Sequence, residues 1–198
     1  MRARSVGRLS TMVLAGAGVA AAGYVGIVTG VCPVDVGLGR RTRPLGPQSV
    51  DVQAPREVVF DVIAEPYLGR PTRALEDKIR VLHRGSDMVL AAHYTPVRGG
   101  LVAQTVETVR FARPHRVDFR LVRGPVPHVV EEFVLTEQAT GTRVDYRGEM
   151  AADLWAIGWW WSEVVARRWE AVVAGSFAAI RAEAERRARA RQSRGGRP

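Results

Sequence analysis

The stretch WAIGWWWSEVVARRWEAVVAGSFAAIRAEAE, Trp155 to Glu185, holds all five tryptophans of the chain and sets the fold. Successive helix residues point ~100° apart, so Trp159, Trp160 and Trp161 cannot share one buried face. With Val165 at the centre of the buried side, Leu154, Gly158, Trp161, Trp169, Val172, Ser176 and Ala179 fall on it, with Trp155 and Trp159 on the flanks. Trp160 falls on the opposite side with Glu163, Arg167 and Ala174. Asp153 stands where an N-cap belongs. The reading is one long amphipathic helix with a ring that looks outward, and with packing at Gly158 loose enough to leave a cavity.

Upstream, the period changes. Arg143–Met150 alternates Val144, Tyr146 and Met150 against Arg143, Asp145, Arg147 and Glu149. Similar segments run over 78–84, 88–95, 101–111, 116–123 and 128–136, separated by turn residues such as Gly99-Gly100, Arg113-Pro114 and Gly124-Pro125. Short turns between alternating strands predict an antiparallel meander with one apolar face. Ser49–Ala54 reads as a first strand, and Pro55 opens a short helix whose apolar face carries Val59, Val62 and Ile63. EPYLGRP, from Glu65, breaks that helix. The order is strand, short helix, six strands, long helix. Such a chain buries its apolar faces by wrapping a curved sheet on the last helix, an α+β architecture.

In this pattern the chain resembles the SRPBCC superfamily, which includes START-like lipid-transfer domains and polyketide cyclase–dehydrases. The carrying stretches are VDVQAPREVVFDVIAEP, GTRVDYRGEM and WEAVVAGSFAAIRAEAE, within a domain spanning 48–185. The resemblance implies a helix-grip fold with a hydrophobic cavity between sheet and C-terminal helix that takes lipids, polyketides or other apolar molecules.

The remainder of the chain is different in kind. Leu9–Val34 carries no charge over 26 residues, and about 20 suffice to cross a bilayer core. A transmembrane helix or signal anchor after the basic residues 1–8 is the expectation, which makes the protein single-pass, on an undetermined side of the membrane. A cleaved signal peptide is the alternative, since Ala20-Ala21-Ala22 resembles a cleavage site. Gly18, Ala22, Gly26 and Gly30 fall on one helix face, a candidate face for homodimer pairing. Gly16–Ala21 matches a loose dinucleotide pattern, but nothing there forms the solvent side of a βαβ helix. Residues 35–47, rich in Gly, Pro and Arg, read as a linker, and 186–198 as a basic tail.

The net charge of +9 lies at the ends: residues 1–46 and 181–198 each carry +5, and the middle −1. A neutral domain with basic termini argues against nucleic acid and for a membrane surface. The four histidines are scattered and no metal or nucleophile motif occurs, so no metal or cofactor is expected. Glu131 shares a face with Phe133 and Leu135; it either sits at a wet strand end or points inward as a proton-transfer group with a raised pKa. His83, beside Ile79 and Val81, is the other candidate for acid–base work, against a structural role. Expected ligand contacts are Trp155 and Trp159 at the mouth, then Trp161, Tyr146, Tyr94, Phe119 and Phe133. Trp160 and Arg167 are expected to meet lipid headgroups. A membrane-tethered hydrophobic-ligand binder leads, with a cyclase-like enzyme and an interaction module as alternatives.

Overall fold

The computed structural model describes residues 21–69 and 78–195. Residues 21–28 are helical, α1. The domain follows as β1 (Arg41–Val52), α2 (Arg56–Leu68), β2 (Ile79–Arg84), β3 (Met88–Pro96), β4 (Val102–Ala112), β5 (Arg116–Arg123), β6 (His128–Gln138), β7 (Gly141–Ala152) and α3 (Trp155–Gly195). The seven strands form one antiparallel sheet in the order β1-β7-β6-β5-β4-β3-β2, so only β1 crosses to a non-neighbour in sequence. α3 packs across β1, β7 and α2, which is the helix grip.

β1 begins within the stretch expected to be a linker. Pro44, Gly46 and Pro47 read as breakers, yet they sit on an edge strand, where a missing N–H is tolerated, beside a register shift between Leu45 and Gln48. Likewise α2 runs through Pro66 to Leu68 rather than ending at EPYLGRP.

The buried face of α3 is rotated from the expected one by roughly 80° at 100° per residue. Ser162, Val165, Ala166, Val173, Phe177, Ala184 and Ala188 are buried, whereas Leu154, Val172, Ser176 and Ala179 are exposed. The cause is the junction before it. Leu154 and Trp155 both adopt left-handed backbone (φ 72° and 50°), which re-aims the first turn. Gly158 is not at a loose spot: a Cβ there would lie 1.5 Å from the Asp153 carbonyl oxygen.

Asp153 is no simple cap. Its buried carboxylate accepts from the backbone N–H groups of Val36 and Gly37 (2.7 Å each) and from Arg40 Nε (2.7 Å). Leu154 and Trp155 N–H groups in turn donate to the Leu38 and Gly39 carbonyls. This clasp holds the incoming chain against the start of α3. Its chain of donors keeps Asp153 well below the usual carboxylate range, at about 2, chiefly through the Arg40 hydrogen bond.

Residues 9–20 of the expected membrane span, Gly18 among them, lie outside the described residues; residues 21–34 of it are described. Among the described residues no helix is long and apolar enough to cross a membrane. α1 stops at Val28, which is buried. Gly30 has φ 72°, and a Cβ there would meet the Gln104 carbonyl oxygen at 2.7 Å; a Cβ on Gly26 would meet Cys32. These two members of the candidate dimer face are thus occupied within the chain.

Candidate functional site

Strand alternation carries a row of polar side chains into the apolar interior. Glu131 on β6 lies opposite Phe119 on β5 and Gly148 on β7. Gly148 makes the room: a Cβ at that position would come within 2.8 Å of the Glu131 Cβ. The Glu131 carboxylate accepts from Tyr146 Oη (2.9 Å) and from Trp169 Nε1 on α3 (2.6 Å). It is 7% exposed. Burial, and then the charge of Glu107, push its pKa up to about 7 against the two hydrogen bonds. Of the two readings open at Glu131, the structure places it inward.

A second cluster faces it from β3, β4 and α2. His93 Nε2 is 2.9 Å from Tyr67 Oη. His93 Nδ1 lies 3.3 Å from Glu107 Oε2, an ion-pair distance whose alignment falls short of a hydrogen bond. Glu107 accepts from the Thr105 hydroxyl at 2.6 Å. Burial alone would lower the His93 pKa and raise that of Glu107. Their mutual attraction overrides it, holding His93 above and Glu107 below the ordinary value. Burial, then the nearby carboxylates, drive the Tyr67 pKa upward, and Tyr146 behaves alike.

Between the clusters runs a file of rings: Tyr67 to Phe119 (5.9 Å), Phe119 to Phe133 (5.5 Å) and Phe133 to Tyr146 (5.4 Å). Phe177 of α3 covers Phe133 at 5.6 Å. The hollow expected between sheet and helix is therefore occupied by side chains. A groove of about 700 Å³ opens instead between β1 and α3, at Gln48, Val50, Phe177 and Arg181, and it includes neither cluster.

Among the expected site residues, Glu131, Tyr146, Phe119 and Phe133 converge. His83 does not: the register shift between Val81 and His83 on the edge strand β2 leaves it exposed. Tyr94 alternates to the face opposite His93. Trp155 and Trp159 are exposed at the surface of α3 rather than lining a cavity. Trp161 is half-buried and donates to the Pro125 carbonyl at 2.7 Å, apart from the polar clusters. Trp160 is 64% exposed, in the direction expected, and Arg167 is exposed beside Glu163 (3.8 Å).

Sequence reasoning missed Tyr67, His93, Glu107 and the role of Trp169 as a donor. A signal existed for two of them. His93 shares a face with Val89 and Ala91, and Glu107 with Val109, the same spacing that marked Glu131.

No family model matches the chain, and no curated protein matches it in sequence. Solved structures share its fold. Zhui aromatase/cyclase from Streptomyces sp. R1128 is 19% identical with a TM-score of 0.54, over 74% of this chain and 96% of that one. Norcoclaurine synthase from Thalictrum flavum, solved with dopamine and hydroxybenzaldehyde, is 14% identical with a TM-score of 0.53, over 81% and 90%. The di-domain aromatase/cyclase BexL of the BE-7585A biosynthetic pathway is 14% identical with a TM-score of 0.52, over 76% of this chain. The match spans half the length of BexL, 50%. At these identities the likeness defines the helix-grip fold and leaves the chemistry to this chain's own residues.

Proposed function

We propose that the protein binds a hydrophobic small molecule carrying a polar group against the concave face of the sheet, beneath α3. The observation that carries this is the pair of polar clusters in an otherwise apolar interior: Glu131 with Tyr146 and Trp169, and His93 with Tyr67 and Glu107, where His93 Nδ1 faces Glu107 at ion-pair distance without an aligned hydrogen bond. Buried polar groups are costly unless partnered, and a few convergent ones among aromatic walls are what orients a ligand. Phe133, Phe177 and the ring of Trp169 must shift to admit it. The uncharged N-terminal stretch, in this reading, holds the domain at a membrane from which such a molecule is drawn.

The test is incubation of the full chain with a total lipid extract, followed by native mass spectrometry of what is retained. Stoichiometric retention, weakened in Glu131→Gln and His93→Phe variants, is expected. A chain that returns empty from every extract contradicts the reading.

A second reading rests on a separate observation. Glu131 is pushed up to about 7 while Glu107 is held low beside His93. Groups driven apart in this way can divide acid and base roles, as a cyclase or dehydratase needs. The aromatase/cyclase neighbours agree with it at the level of fold. Turnover of a polyketide-like substrate, abolished by Glu131→Gln with binding retained, is its expected signature; binding without turnover excludes it.

A further inference from the structure

One end of the molecule carries an unusual concentration of exposed apolar side chains. Of the sixteen large hydrophobic residues exposed among the described residues, eleven come from residues 24–38 and 154–164. Ile157 is 73% exposed and Trp155 57%, beside Trp160, Val31 and Leu38. The two segments form one surface. Leu154 and Trp155 are bonded to the Leu38 and Gly39 carbonyls, the Trp155 ring leaves no room for a Cβ on Gly39, and Tyr24 meets Trp161 edge-on at 6.1 Å. A soluble surface rarely keeps a contiguous apolar patch of this kind without an occupant.

We propose that this surface docks on a lipid bilayer, with the start of α3 and residues 24–38 lying in the interface. The inference rests on the membrane part of the reading above and not on its ligand. Three observations select lipid over a protein partner. Residues 24–34 of this patch continue the uncharged stretch that begins at Leu9. The acids near the patch are already engaged: Asp153 and Asp35 with Arg40, and Glu163 with Arg43. Arg167 and Arg168 are exposed on the next turns of α3, where they can reach anionic headgroups as Trp155 and Trp160 enter the boundary. Docked this way, the bilayer faces the end of the sheet where Gly30 seats against Gln104 and Gly124. That end also carries the buried β5–β6 turn, Gly124–Val126.

The experiment uses the full chain with phosphatidylcholine–phosphatidylglycerol vesicles. Flotation reports association, and quenching of tryptophan by lipids brominated near the headgroup reports which rings enter. Quenching is expected, and it should lose most of its amplitude in the Trp155→Phe/Trp160→Phe variant while flotation persists. Ile157→Asp should likewise reduce the quenching of Trp155 and Trp160 severalfold while flotation, which the uncharged N-terminal stretch supports, persists. A chain that does not float sinks the membrane reading and this inference together. A chain that floats with Trp155 and Trp160 unquenched leaves the tether and overturns the docking. A dimer in solution that Ile157→Asp dissociates assigns the patch to a second copy and overturns it as well.

Discussion

Asp153 and Glu131 are both buried carboxyls, and the fold treats them in opposite ways. Asp153 receives two backbone N–H groups and a guanidinium, which hold it ionised and fix the start of α3. Glu131 receives only a phenol and an indole, stands near a second carboxylate, and titrates near neutrality. A carboxylate supplied with charged and backbone donors is a fastener. One left with neutral donors in an apolar interior keeps capacity for a proton or a ligand. The difference separates the part of the molecule that builds the fold from the part available for chemistry.

The comparison breaks most severely at Gly158, under the Asp153 carbonyl. Gly158→Ala forces backbone apart and should cost on the order of 4 kcal/mol in urea unfolding, or prevent folding. Asp153→Ala strips the clasp of its acceptor and should cost about 3 kcal/mol, leaving Arg40 and two N–H groups without their partner.

The Glu131 side yields smaller changes of stability and larger changes with pH. Glu131 holds its proton more tightly folded than unfolded, so its contribution is complete below 4.5 and is lost as pH rises through about 7. His93 acts in the same sense: its contribution is complete below 6.5 and lost as pH rises through its higher folded value. Glu107 opposes them, contributing above 4.5 and losing that on acidification. Thermal melts should therefore show a maximum in mildly acidic solution and a decline as pH rises from 4.5 through about 7, which His93 extends above 6.5. Glu131→Gln should change the melting temperature at low pH by little, about 1 kcal/mol in stability, and remove much of that decline. The smallest effect is expected of Trp169→Phe, under about 1 kcal/mol. Losing the indole donor should raise the Glu131 pKa further, visible in carboxyl carbon shifts on titration.

The architecture was legible because alternation and helical period are local. Strands β2 to β5 lie within one residue of their expected ends, while β6 runs two further to Gln138 and β7 two further at each end, to Gly141 and Ala152. Glu131 was legible for the same reason, through Phe133 and Leu135. What escaped depends on contacts distant in sequence. Pro44 and Pro47 look like breakers until β7 supplies an edge to pair with. The α3 face turned because residues 35–40 grip Asp153, across more than a hundred positions. His83 was misplaced by a register shift that no alternation reveals, and Trp169 became a donor only once α3 lay over β6.

The indole N–H of Trp169 reports on the Glu131 cluster, whereas those of Trp155 and Trp160 report on the exposed end of α3. The most direct test is the nitrogen–proton indole spectrum of the full chain while the molecule retained from lipid extract is titrated in without vesicles. Binding beneath α3 predicts that the Trp169 signal shifts saturably while Trp155 and Trp160 stay in place. A shift confined to Trp155 and Trp160, with Trp169 unmoved, would place the molecule on the surface and contradict an interior site.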